Sequence, residues 1–196
     1  MTINSKESVD VFNRMYFRSF RARNLIAWSF TYTILMFFFF DTALFTINSL
    51  SVPLIGILIY FFMPDNLYKE NQKLIDEFYK RTQDSCDNNK ETISIVCNLV
   101  KFDGPTFGIL KITPKKLSFT PLRENIQDQA FDFNEQEIKQ LDVTITNSRR
   151  LIFNRMCFKQ LSKLLRISCK QKKMFLQAPE IESTLKTIKE YLDNVK

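Results

Sequence analysis

The sequence contains no histidine, and it has only three glycines among 196 residues. Without histidine the chain cannot form a serine–histidine triad or an imidazole metal site. Gly56, Gly104 and Gly108 are too few and too widely spaced for the G-x-G-x-x-G or G-x-x-x-x-G-K loops that bind nucleotide phosphates. These absences exclude most familiar hydrolases and both of those classes of nucleotide-binding enzyme.

The sequence has no C-x-x-C pair, which disfavours a zinc or redox site. Its four cysteines are Cys86, Cys97, Cys157 and Cys169, and a reducing cytoplasm would keep them as free thiols. The carboxylates between residues 132 and 142 alternate with polar residues, as solvated loops do. Ser168 and Lys170 share a strand face, but no pattern supplies an oxyanion site. We therefore expect a non-enzymatic protein without metal or cofactor.

Two uncharged runs dominate the first third of the chain. Residues 25–40 cover about 24 Å as a helix, somewhat less than a hydrocarbon core of about 30 Å, and residues 42–63 are long enough to cross. They predict a two-span transmembrane hairpin over residues 25–63, with Asp41 in the turn or, alternatively, as a buried functional carboxylate. A re-entrant hairpin stays open, and so does a soluble helical bundle, although that fold needs a polar face.

Basic residues flank both runs and are absent from the turn between them. They are Lys6, Arg14, Arg18, Arg21 and Arg23 before the hairpin, and Lys69, Lys73, Lys80 and Arg81 after it. Because positive charge resists translocation, we expect a protein integral to the cytoplasmic (inner) membrane with both termini cytoplasmic. The predicted organisation is a basic N-terminus (1–24), the hairpin (25–63), an amphipathic helix and linker (64–91) and a cytoplasmic domain (92–196).

The amphipathic helix is predicted to begin near Asp65, because Pro64 should end the preceding span. Its apolar stripe comprises Leu67, Leu74, Ile75, Phe78 and Tyr79. The stripe has two interpretations: it packs on the domain or a partner helix, or it lies along the membrane surface.

Beyond residue 91 the hydrophobic period changes from helical to alternating. Seven short strands are predicted in ETISIVCNLVKF, GILKIT, KKLSFTPL, IKQLDVTIT, RRLIFNRM, KLLRISCK and KKMFLQ. An amphipathic helix follows from Pro179, with apolar residues at steps of three and four. The predicted fold is α+β: a seven-stranded antiparallel barrel or sandwich capped by a C-terminal helix.

Three segments of this domain carry a family resemblance: GILKITPKKLSFTP, FDFNEQEIKQLDVT and LLRISCKQKKMFLQAPEIESTLKTIKEYL. Together they resemble the pleckstrin-homology (PH) superfold, in particular its GRAM-like members and membrane-anchored bacterial PH-like proteins. The resemblance covers residues 92–195 and implies the fold. No R-x-R motif follows Lys101 and Lys111, and Tyr191 stands where the terminal helix of this superfold often has tryptophan. The resemblance therefore does not imply inositol-lipid specificity.

The domain carries an unusually one-sided charge run, since no acidic residue lies between Asp142 and Glu180. The candidate anion-binding residues in this run are Arg149, Arg150, Arg155, Lys159, Lys163, Arg166, Lys170, Lys172 and Lys173. Strand alternation separates Arg166, Ser168 and Lys170 from their apolar neighbours, which predicts a shared basic face. Such a face suits anionic membrane lipids or an acidic protein partner; it can equally be a solvated surface.

Nucleic-acid binding is disfavoured, because the chain is tethered to a membrane and no stacking-aromatic motif is present. The predicted function is therefore a non-enzymatic membrane-anchored recognition or scaffold protein whose basic face engages anionic lipid headgroups or an acidic partner. The alternative is a protein–protein assembly module, homo-oligomeric or otherwise, that uses strand edges and the C-terminal helix.

Overall fold

A computed structural model of the chain describes residues 4–39, 45–84, 92–100, 105–147, 157–169 and 172–195. The helices are α1 (Lys6–Phe39), α2 (Phe45–Asp84), α3 (Glu135–Ile138), α4 (Lys159–Ser162) and α5 (Ile181–Val195), with a 3-10 turn at Glu124–Gln129. The strands are β1 (Ile93–Val100), β2 (Pro105–Ile112), β3 (Lys116–Pro121), β4 (Phe131–Asn134), β5 (Asp142–Asn147), β6 (Lys163–Cys169) and β7 (Lys172–Gln177).

The seven strands described form one antiparallel sheet in the order β4-β3-β2-β1-β7-β6-β5. One face of the sheet carries the main core, where side chains such as Leu110, Phe119 and Ile167 are fully buried with Ile188 and Leu192 of α5. The prediction of an α+β fold, with seven antiparallel strands and a C-terminal helix, is thus confirmed. We call this core-lining side the inner face, and the opposite side the outer face.

One described strand was not predicted: the short run FDFN forms β4. The predicted strand RRLIFNRM lies outside the described residues. The predicted strand IKQLDVTIT begins inside a helical turn, and β5 starts only at Asp142. The cause is a capping box: Asn134 Oδ1 accepts from the Glu137 backbone at 3.0 Å, and the Asn134 backbone donates to Glu137 Oε2 at 2.9 Å. This Asn-x-x-Glu pattern nucleates α3 between the two strands.

Residues 13–70 form a compact unit, in which α1 and α2 run antiparallel. Phe17 packs edge-on against Tyr68, with ring centroids 5.8 Å apart, and Arg21 forms an ion pair with Asp65. Further along, the indole of Trp28 lies so close to Gly56 that a Cβ at residue 56 has no room. The predicted pair of helices in this region is therefore present.

The second helix continues across Pro64, where the sequence analysis predicted a break. A proline within a helix removes one backbone hydrogen bond, and α2 continues through Pro64 despite that loss. Over the residues that the structure describes, no helix combines the length and the apolar character that a membrane crossing needs.

A second compact unit joins residues 1–12 to residues 71–196. Val9 of α1 and Ile75 and Tyr79 of α2 pack with Val96 on the outer face of β1, and all four are buried. Phe12 contacts Phe107 of β2 with a centroid distance of 5.9 Å. The predicted packing of the amphipathic stripe on the domain is confirmed at Ile75 and Tyr79.

Candidate functional site

Five of the nine predicted anion-binding residues lie in the described part of the chain: Lys159, Lys163, Arg166, Lys172 and Lys173. The other four, Arg149, Arg150, Arg155 and Lys170, lie outside it. Lys159 belongs to α4, and the remaining four described residues belong to the β6–β7 hairpin.

Two of these residues share the outer face of the sheet. In β6, Ile167 and Cys169 are buried, while Arg166 and Ser168 are half-buried and point the other way. The register places Arg166 opposite Phe175 and Ser168 opposite Lys173. The predicted alternation is therefore confirmed for Arg166 and Ser168, and Lys173 joins them across the hairpin.

Lys163 and Lys172 follow the inner-face alternation instead. Lys163 is three residues before Arg166, an odd spacing that puts it on the opposite side of β6, where it contacts Glu182 of α5. Lys172 is opposite Cys169, and its Nζ lies 5.6 Å from the ring centroid of Phe133. The strand geometry thus divides the run of basic residues between the two faces of the sheet.

Carboxylates from neighbouring elements compensate three of the five cations. Arg166 pairs with Asp142 of β5 at 3.1 Å, Lys172 pairs with Glu137 of α3 at 2.9 Å, and Lys163 pairs with Glu182 of α5. The run itself has no acidic residue, so this compensation arises only from the fold.

The same contacts lower the pKa values of two of these carboxylates. The ammonium of Lys163 lowers the pKa of Glu182 through a hydrogen bond and its charge. The Asn134 backbone N–H, followed by Lys172, lowers the pKa of Glu137, while Glu137 raises the pKa of Lys172. Both carboxylates are accordingly held in the charged form that pairs with lysine.

Lys159 and Lys173 are exposed, and neither has an acidic group within 4 Å among the described residues. On the outer face Lys173 is paired with Ser168 across the hairpin, and the neighbouring pair on that face is Arg166 with Phe175. A cation, a hydroxyl group and an aromatic side chain together suit an anionic group at an interface, since such groups bind phosphate oxygens and tolerate an apolar boundary.

Among the described residues, no cluster of three or more cysteine, aspartate or glutamate side chains is arranged to hold a metal ion. Cys97, Cys157 and Cys169 are free thiols, and burial raises the pKa of the Cys97 thiol to about 12, so it stays protonated at neutral pH.

A further surface, made of residues that the sequence assigns to the transmembrane hairpin, lies on the helix pair of residues 13–70. Large apolar side chains there are 40% to 73% exposed: Leu25, Ile26, Phe30, Ile34, Phe38, Leu54 and Ile55. Four of them recur every fourth residue along α1, from Ile26 to Phe38. Arg14 and Arg18 are exposed on the part of α1 that precedes them.

No protein-family model and no curated protein matches the chain. A solved structure described as the C-terminal domain of an unknown protein from Leishmania infantum is similar to it, with a TM-score of 0.37 and 15% sequence identity. The similarity covers 60% of this chain and 98% of that chain.

Proposed function

We propose that the chain is a membrane-anchored, non-enzymatic recognition protein. Residues 25–63 enter the cytoplasmic membrane as a helical hairpin, both termini stay cytoplasmic, and the sheet is a PH/GRAM-like domain whose basic residues engage anionic lipid headgroups. The observation that carries the proposal is the set of large apolar side chains that α1 and α2 expose.

That apolar surface has a substantial cost in water. Burial of apolar area contributes roughly 25 cal/mol per Å², and soluble monomers rarely expose contiguous apolar patches beyond a few hundred Å². Phe30 is 68% exposed and Phe38 is 73% exposed, with Ile34 between them at 40%. Lipid chains are a favourable environment for such side chains, and a helical pair satisfies its own backbone hydrogen bonds there.

The polar end of the helix pair fits the same arrangement. Asp65 is neutralised by Arg21 at the point where the apolar stretch begins. The close contact of Trp28 with Gly56 brings the helices together through a small residue, as membrane helices often do. Trp28 itself is half-buried near this boundary, a position typical of tryptophan at membrane interfaces.

The PH/GRAM-like assignment of the sheet rests on the sequence resemblance, with which a seven-stranded antiparallel sheet and a C-terminal helix are compatible. In the described part of the chain, headgroup binding depends chiefly on Lys173 and Lys159, because the other three cations have carboxylate partners. Basic residues close to an anionic surface contribute about 1 kcal/mol each, so the domain adds to the anchor without replacing it.

Trp28 is the only tryptophan in the sequence and reports on the anchor directly. The full chain is reconstituted in vesicles whose lipids carry bromine on their acyl chains. We expect blue-shifted Trp28 emission that these lipids quench. The control is the double variant Trp28→Phe/Tyr191→Trp, which moves the fluorophore to α5 and should escape quenching. Trp28 emission that aqueous iodide quenches and brominated lipids leave unchanged would remove the anchor from the proposal.

Lysine footprinting tests the headgroup contact without any substitution. The full chain is acetylated in nanodiscs of phosphatidylcholine alone and in nanodiscs that also contain phosphatidylglycerol. Lys159 and Lys173 should react more slowly when the anionic lipid is present, while exposed Lys189 of α5 serves as the control and should not change. If Lys159 and Lys173 each react as fast in the nanodiscs with phosphatidylglycerol as in those without it, headgroup binding by the domain is contradicted.

The alternative function is protein–protein assembly, and the edges of the sheet favour it. Strands β4 and β5 lie at the two ends of the described strand order, and residues 143–147 of β5 contain no charged side chain that would hinder strand pairing. Crosslinking in native membranes distinguishes the two functions. A stoichiometric protein partner, or a second copy, bound at β5 or α5 in the variant Lys159→Glu/Lys173→Glu would favour assembly.

A further inference from the structure

Two arginines near the start of α1 differ from every other cation on that helix. Arg14 and Arg18 are one turn apart and both are exposed, and no acidic group lies within 4 Å of them among the described residues. By contrast, Arg21 pairs with Asp65, and the guanidinium of Arg23 lies 5.8 Å from the ring centroid of Phe20. Among the described cations of α1, Arg14 and Arg18 are the two that are both exposed and without an acidic neighbour; Arg23 also has no acidic neighbour but is half-buried.

Leu25, the first of the exposed apolar side chains, lies on the same side of the helix as the two arginines. Leu25 follows Arg18 by seven residues, which is close to two full turns and about 10 Å along the axis. Leu25 is 45% exposed, and Ile26 beside it is 54% exposed. The two exposed guanidinium groups of α1 are therefore followed on the same side by one exposed aliphatic side chain, Leu25, while Ile26 lies about 80° around the helix from Arg18.

The direction of the arginine side chains keeps their charges away from the apolar part of the helix. The Cα–Cβ bonds of a helix tilt toward its N-terminus, so Arg14 and Arg18 extend away from the apolar stretch. Guanidinium groups bind phosphate oxygens in a bidentate manner, and their weak hydration favours such contacts at an interface. A phospholipid can then place its phosphate at the arginines while an acyl chain lies along Leu25.

We propose that Arg14 and Arg18 form a headgroup site for an anionic phospholipid on α1. The inference rests on the proposed membrane anchor and adds the lipid class and the residues that select it. The run of basic residues in the domain is the weaker candidate for this selection, since three of its five described members already pair with carboxylates.

The test compares how two brominated lipids quench Trp28 in the full chain. Vesicles contain either brominated phosphatidylglycerol or brominated phosphatidylcholine as a minor component in unbrominated phosphatidylcholine, and the ratio of the two apparent association constants gives the lipid selectivity. A contribution of about 1 kcal/mol per basic residue corresponds to about fivefold selectivity per arginine. We expect Arg14→Gln/Arg18→Gln to lower the ratio by at least fivefold.

The matched control is Lys186→Gln/Lys189→Gln, which removes the same charge from two exposed positions of α5 and should leave the ratio unchanged. Undiminished quenching by brominated phosphatidylcholine shows that the arginine variant is still inserted. An unchanged selectivity in that inserted variant, or an equal loss in the lysine control, overturns the headgroup site while leaving the anchor intact. Failure of both brominated lipids to quench the wild-type chain overturns the anchor, and the headgroup site with it.

Discussion

Substitution of Ile75 by alanine tests whether the end of α2 is a structural part of the sheet domain. Ile75 is fully buried against Val9, Tyr79 and Val96, although it precedes the boundary at residue 92 that the sequence pattern suggests. If the helix end is integral, removing its side chain destabilises the sheet. If residues 92–196 fold independently, the sheet is unaffected.

The magnitude follows from burial. Replacing isoleucine by alanine removes about three methylene equivalents at about 0.8 kcal/mol each, and the cavity term raises the cost to between roughly 2 and 5 kcal/mol. A loss of about 3 kcal/mol raises the population of the opened state by roughly two orders of magnitude. The side chains in contact with Ile75 come from three separate segments, so collapse of the site around the cavity is restricted.

Cys97 provides the assay, because it is 1% exposed on the inner face of β1, one residue from Val96. Full-length protein is exposed to a maleimide, and labelling of the Cys97 peptide is followed by mass spectrometry. We expect labelling about a hundredfold faster in Ile75→Ala than in wild type, following the larger opened population. The neighbouring variant Leu74→Ala is the control, since Leu74 is only half-buried and should have a smaller effect. Unchanged Cys97 labelling in Ile75→Ala would refute the structural role of the helix end.

Three further predictions concern separate contacts. Gly56→Val should separate α1 from α2, because Trp28 occupies the space that a side chain at residue 56 needs; a red shift of Trp28 emission in the reconstituted chain checks this, and unchanged emission argues against the contact. Burial raises the pKa of Tyr79 to about 12 from an ordinary value of 10.0, so stability is complete below pH 10 and should fall as the pH rises from 10 to 12; the decrease should be smaller in Tyr79→Phe, as measured by denaturant unfolding. Asn134→Ala should cost about 1 kcal/mol by removing the cap of α3, whereas Asn134→Asp should retain most of the stability, and equal midpoints for both variants would contradict the capping role.

Local pattern was sufficient to predict much of the sheet. Alternation in KLLRISC identified which side of β6 is buried, because side-chain direction has a period of two whatever the strand pairs with. The spacing of apolar residues likewise predicted α5, whose Ile188 and Leu192 are in the core. Both inferences needed only neighbours in sequence.

Long-range contacts were not predictable in the same way. Glu137 and Glu182 reach Lys172 and Lys163 only because α3 and α5 pack beside the β6–β7 hairpin. Similarly, Asn4 lies 175 positions from Pro179, yet its side-chain amide donates to the Pro179 carbonyl at 3.2 Å. No local pattern encodes such pairings, so the sequence predicted a shared basic face without its acidic partners and a domain that begins after residue 91.

A run of like charges in a sequence is therefore not the same as a charged surface. Alternation divides the cations of the β6–β7 hairpin between the two faces. Glu182 and Glu137 compensate both inner-face cations, and Asp142 compensates one of the two on the outer face. Residues 1–63 carry a net charge of only +2, yet this segment contains Arg14 and Arg18, which have no acidic neighbour among the described residues and precede the exposed apolar side chains of the helix pair. Because binding to a charged membrane depends on uncompensated charge at the interface, these two arginines should outweigh the longer basic run. The ratio of phosphatidylglycerol to phosphatidylcholine association should therefore fall more in Arg14→Gln/Arg18→Gln than in Lys159→Gln/Lys173→Gln. A larger fall in the lysine variant would show that the basic run of the domain contributes more.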